Sequence, residues 1–101
     1  MAFIGGMLML NANYRVAVYG SRLYKKTGRY IGELCAFKTF YFKKNIIKWA
    51  REQINRPDIH PTSVKFYFKK GNVWELKLKV RVKVPKDKNR MRTLIWEGRD
   101  V

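Results

Sequence analysis

The chain is poor in residues that make and break bonds and rich in residues that hold anions. It carries one His, one Cys and seven Asp or Glu against 23 Lys and Arg. Metal catalysis needs several ligands brought together, and nucleophilic catalysis needs a base beside the nucleophile. His60, between Ile59 and Pro61, reads as a surface residue, and Cys35, in a strand-like run, as a small buried hydrophobe. There is no phosphate-cradling glycine motif and no dinucleotide fingerprint. We therefore expect no enzyme activity, no metal and no cofactor.

The cations, by contrast, are ordered. From Val73 to Val84 apolar and polar residues alternate, with Trp74, Leu76, Leu78, Val80, Val82 and Val84 against Glu75, Lys77, Lys79, Arg81 and Lys83. A strand turns alternate side chains to opposite faces, so this is one long half-buried strand. Lys77, Lys79, Arg81 and Lys83 then form a row at about 6.6 Å intervals, a spacing suited to successive phosphates. Lys65, on a neighbouring strand, joins them. Lys25, Lys26 and Arg29 cluster at a turn and extend the footprint. Tyr67, between Lys65 and Lys69, and Tyr24 and Tyr30, flanking the basic turn, alternate away from the core. Aromatics interleaved with cations are how single strands are held, bases stacking and phosphates paired.

The net charge is +16 over 101 residues, with 47% hydrophobic and 15% aromatic residues. That is too apolar for a disordered basic tail and fits one folded domain with a modest core. Residues 11–56 carry 11 Lys/Arg against Glu33 and Glu52, and residues 62–92 carry 11 against Glu75 and Asp87, so each stretch is +9. Self-repulsion on this scale opposes compaction and points to an anionic partner. A lone Cys allows no intrachain disulfide, which suits a reducing cytoplasm. Met1 to Leu10 is apolar but too short to span a bilayer, and no basic amphipathic helix marks a membrane surface. We divide the chain into an apolar leader, 1–12, acting as a flexible segment or an extra edge strand, and a basic α+β domain, 13–101.

These side chains must be positioned by an antiparallel sheet and one helix. Tyr14 to Tyr19 alternates as a strand, Gly20-Ser21 interrupts it, and Lys26-Thr27-Gly28 makes a hairpin tip before Tyr30 to Phe37 returns. Ile46, Ile47, Ala50 and Ile54 recur at helical spacing from about Lys43, and Pro57 ends that helix near Asn55. Arg56 to Thr62 reads as a loop, Ser63 to Lys69 as a strand, and Met91 to Trp96 as the last strand. A three-residue loop, Lys70-Gly71-Asn72, sets Phe68 against Trp74, Phe66 against Leu76, Lys65 against Lys77 and Tyr67 against Glu75. A two-residue loop would mix apolar and charged residues on each face, so the longer loop is expected. Val64, Phe66, Phe68, Trp74, Ile46 and Ile54 would make the core. The order is ββαβββ, an α+β fold with a sheet of about five strands. Such a sheet is about 24 Å wide, twice the width of a helix, so a homodimer through the uncovered face or a strand edge is a further expectation.

Two resemblances follow from these residues. Pro57-Asp58 with Glu75-Leu76-Lys77 resembles the PD-(D/E)xK motif of metal-dependent nucleases. The register above puts nine residues, about 30 Å when extended, between Asp58 and the partner of Glu75, too far to share a metal. Residues 14–54, with Phe37-Lys38-Thr39 and Lys48-Trp49-Ala50-Arg51, resemble the arm-type DNA-binding domains of phage integrases. The resemblance implies DNA read by a three-stranded sheet backed by a helix; it covers under half of the chain and lacks a third strand before the helix. The sequence thus points to a nucleic-acid-binding module, DNA or RNA, with Lys65, Lys77, Lys79, Arg81, Lys83, Lys25, Lys26, Arg29 and Tyr67 as contacts. The alternative is an accessory or inhibitor protein, as a monomer or a dimer, that docks on a nucleoprotein enzyme such as a nuclease.

Overall fold

The computed structural model describes residues 13–87 and 89–95. The stretches 1–12 and 96–101, with the leader and Trp96, lie outside the described residues, as does the side chain of Tyr30. Five strands form one antiparallel sheet: β1 (Tyr14–Tyr24), β2 (Arg29–Phe40), β3 (Ile59–Lys70), β4 (Val73–Lys83) and β5 (Thr93–Ile95). Their order across the sheet is β2-β1-β3-β4-β5, and helix α1 (Ile46–Ile54) connects β2 to β3 and packs over β1 and the central strand β3. This is the α+β, ββαβββ arrangement expected from the alternation.

Alternation puts Val16 and Val18 of β1, Val64 and Phe66 of β3 and Val80 of β4 on one face, all but sealed from solvent. Ile46, Ala50 and Ile54 of α1 complete that core, together with Ile59, Phe40 and Leu94. A 3-10 turn, Lys43–Asn45, leads into the helix, which has no side-chain N-cap. Its C-terminus is tied down by Arg92, just before β5. Arg92 donates from Nη1 to the carbonyls of Ile54 and Arg56, both at 2.9 Å, and of Ile59 at 3.1 Å. Asn55 in turn accepts from the Arg92 amide at 2.8 Å. A cation on the last carbonyls satisfies orphan acceptors and opposes the negative end of the helix dipole.

Two irregularities differ from the expected layout. β3 begins at Ile59, so Pro61 belongs to a strand. It is tolerated because it adjoins the bulge at Thr62 and lies beyond the last β4 partner, where Ser63 faces Arg81. β1 runs unbroken through Gly20, and the extra residues sit in its neighbours, Cys35 in β2 and Thr62 in β3. Gly20 is required there. A Cβ would stand 2.2 Å from the His60 carbonyl oxygen and 2.7 Å from the Pro61 Cα.

The second irregularity reshapes the candidate surface. The β3–β4 turn has two residues, Gly71 at φ +63° and Asn72, with Lys70 paired to Val73. The mixing expected of a short turn therefore occurs near the tip, where Phe68 faces Glu75 and Lys69 faces Trp74. Lys77 is then left over as a β-bulge. Beyond it the ladder is back in phase, with Phe66 opposite Leu78, Val64 opposite Val80 and Lys65 opposite Lys79. One extra residue is what a bulge absorbs, so the core alternation overrides the turn. The expected pairs Lys65 with Lys77 and Tyr67 with Glu75 are corrected: Tyr67 faces Leu76.

Candidate functional site

The face of the sheet away from α1 is covered by no described element. Register and alternation assign it Arg15, Ala17 and Tyr19 of β1, Leu34, Phe37 and Thr39 of β2, and Ser63, Lys65, Tyr67 and Lys69 of β3. β4 adds Trp74 and Leu76 before the bulge and Lys79, Arg81 and Lys83 after it, opposite Thr93 and Ile95 of β5. No acid falls on this face among the described residues. Glu33, opposite Gly20, and Glu75, opposite Phe68, lie on the helix side. The described ion pair is elsewhere: Arg56 and Asp58, 2.6 Å apart. Unneutralised cations on a broad low-dielectric surface sum into a strong positive potential.

Lys65, Lys79, Arg81 and Lys83 stand on this face as expected, the three from β4 exposed and Lys65 half-buried. Lys77 does not. The bulge turns it to the helix side, where its Nζ lies 5.5 Å from the Phe68 ring and it lines a small recess with Tyr14, Lys43 and Ile46. Lys25 and Lys26 occupy the β1–β2 turn and Arg29 opens β2, all exposed. Because Arg22 pairs with Ile59 and Ser63 with Arg81, this tip projects from the same end of the sheet as Arg81 and Lys83. Tyr67 is half-buried and its hydroxyl is hydrogen-bonded to Tyr19; burial first, and this bond second, push its pKa above the usual phenol range.

Sequence reasoning missed the centre of the face. The guanidinium of Arg15 lies between two aromatic rings, its Cζ 4.0 Å from the centroid of Trp74 and 4.9 Å from that of Phe37. Its Nε is buried with no hydrogen-bond partner. The negative faces of the flanking rings compensate the guanidinium where water and hydrogen-bond acceptors do not reach it. Lys69 also stands over the Trp74 ring, at 5.8 Å, and Lys65 over Tyr19 at 4.8 Å. Phe37 stays 49% exposed and Leu76 51%. Trp74, placed in the core by alternation alone, thus lies half-buried on the open face, and Phe68, at 38% exposure, is a rim residue. The missed signal was the Gly71-Asn72 turn, which shifts the phase of everything between itself and the bulge.

Other chemistry is not assembled. Asp58 is held by Arg56 beside the start of β3, whereas Glu75 faces Phe68 near the far end of that strand, so the two acids of the nuclease-like motif stay apart. No group of three or more metal-ligating side chains forms among the described residues. Burial raises the Cys35 thiol, which makes it a poorer nucleophile. No helix among the described residues is long and apolar enough to cross a membrane. No family model, curated protein or solved structure matches this chain.

Proposed function

We propose that this chain is a small non-enzymatic module that binds nucleic acid through the open face of its sheet, mainly by phosphate contacts. The observation that carries this reading is the row Lys65, Lys79, Arg81 and Lys83 on a face to which the described residues contribute no acid. Lys25, Lys26 and Arg29 extend it beyond one end. Phosphate contacts position a protein without reading sequence, so discrimination among sequences is weak. The lone buried thiol fits a reducing, cytoplasmic setting.

The test is fluorescence anisotropy of single- and double-stranded DNA and RNA across a salt series, with Lys79→Gln/Arg81→Gln beside the parent. Log affinity should fall steeply with log salt for the parent. The slope should be shallower by roughly 1.4 to 1.8 for the double variant, two contacts' worth. Weak binding to all four probes, or a slope that ignores the substitutions, refutes the reading.

One observation favours the second class, an accessory or inhibitor protein docking on a nucleoprotein enzyme. The edge strand β2 and the segment after it expose Ile31, Leu34, Phe37, Tyr41 and Phe42. A long apolar edge is a template for strand addition by a partner or by a second copy of this chain. Affinity there would survive high salt, which separates it from phosphate binding, and sedimentation against concentration would report the homodimer.

A further inference from the structure

We infer that the nucleic acid this face takes is single-stranded, its bases stacking on the Phe37–Arg15–Trp74 cluster while its phosphates lie along Lys65, Lys79, Arg81 and Lys83. This rests on the phosphate-binding reading above and adds the part of the ligand the rest of the face would hold.

The division of the face carries the inference. The cations Lys79, Arg81 and Lys83 sit on β4 beyond the bulge, next to Lys65 of β3. The aromatic cluster spans from Phe37 on β2, through Arg15 on β1, to Trp74 on β4 before the bulge. Charge and ring surface are thus side by side on one sheet, as the backbone and bases of a single strand are. Phe37 keeps about half its surface open and offers the ring on which a base can stack, while Trp74, half-buried with Arg15 and Lys69 both against its ring, backs the cluster. The cluster is prebuilt. Arg15 is fixed between the rings, so little side-chain entropy is lost when a base arrives.

Shape argues the same way. Five strands make a face about 24 Å across, and a duplex offers a major groove about 12 Å wide that admits a helix or a two-stranded ribbon. Such a face can touch only the backbone ridges of a duplex, leaving Phe37 and Trp74 unused. A single strand lying across the sheet uses both halves.

The probes are an oligothymidylate, an oligouridylate, an abasic oligonucleotide of equal length and charge, and the duplex of the first with its complement. The base-bearing strands should bind roughly tenfold to a hundredfold more tightly than the abasic one. Phe37→Ala should remove most of that gap while leaving the salt slope unchanged, and Phe37→Tyr should restore it. Circular dichroism of each variant confirms folding; Phe37 is a surface side chain, so its truncation leaves the core intact. Equal binding of base-bearing and abasic strands, with a steep salt slope, overturns stacking and leaves the phosphate reading standing. Tighter binding of the duplex also overturns it. Loss of the salt slope for every probe refutes the phosphate reading itself.

Discussion

The two faces of this sheet are built from the same strands, in alternate positions, and obey opposite rules. On the helix side Val16, Val18, Val64, Phe66 and Val80 are sealed under α1, and each contributes by leaving water. On the open side Arg15, Lys65, Lys79, Arg81 and Lys83 share the surface with Phe37, Trp74 and Leu76, and no described acid balances them. A face kept only for solubility would intersperse both signs of charge and expose few rings. The contrast teaches that stability and charge are separable here: one face sets the fold, and the other is free to be specialised.

The sharpest break in this separation is Phe66→Ala. Phe66 is among the largest sealed side chains, and its removal should cost about 3–5 kcal/mol. Thermal melting should fall by roughly 4 °C or more per kcal/mol. Lys79→Gln/Arg81→Gln, at exposed sites, should leave the melting temperature nearly unchanged while flattening the salt dependence of binding. If the charge variants melt early, or the core variant melts normally, the faces are not separable in this way. Gly20→Ala comes next. Its Cβ meets backbone, the His60 carbonyl and Pro61 Cα, so neighbours cannot swing aside, and a loss of about 1–3 kcal/mol is expected by chemical denaturation. An unchanged midpoint would mean that β1 and β3 stand further apart there than described.

Much of this was legible beforehand. The alternation of β4 and the helical stripe Ile46, Ala50 and Ile54 fixed element types and order, because burial of one face enforces a period. Arg15 could be placed on the outer face by the same rule. What could not be read was phase. A two-residue turn at Gly71-Asn72 with a bulge at Lys77 and a three-residue turn without one both bring Phe66 and Val64 back opposite apolar residues of β4, so alternation alone does not separate them. That single residue moved Trp74 and Leu76 from the helix side to the open face and Lys77 from the open face to the helix side. The Arg15 cluster depends on side chains from three strands meeting, which no local pattern encodes.

The bulge gives a finer test of the two faces. Lys77 and Lys79 are neighbours in the alternation and indistinguishable by sequence, yet they point to opposite sides. Lys79→Gln should make the salt slope shallower by roughly 0.7 to 0.9, one contact's worth. Lys77→Gln should leave it where it was. Equal effects would restore the unbulged ladder, with Lys77 opposite Lys65.

The smallest effect expected lies outside both faces, at Arg56 and Asp58. The Arg56 guanidinium donates to both carboxylate oxygens, at 3.0 Å from Nε and 2.6 Å from Nη2, and holds the Asp58 carboxyl below its ordinary range. A depressed native pKa stabilises the fold above the unfolded value, about 3.9, and that stabilisation fades as pH falls through the native one. Both side chains are about one-third exposed, so solvent limits the pair to about 0.2–1 kcal/mol. Asp58→Asn should therefore lower stability slightly at neutral pH and remove part of the acid-side slope. Because the pair lies off the open face, oligonucleotide affinity should stay constant in that variant. A change in affinity larger than the change in stability would show that the cationic surface reaches round to Arg56, freed of its acid, and that the boundary drawn between folding and binding surfaces is set too tightly.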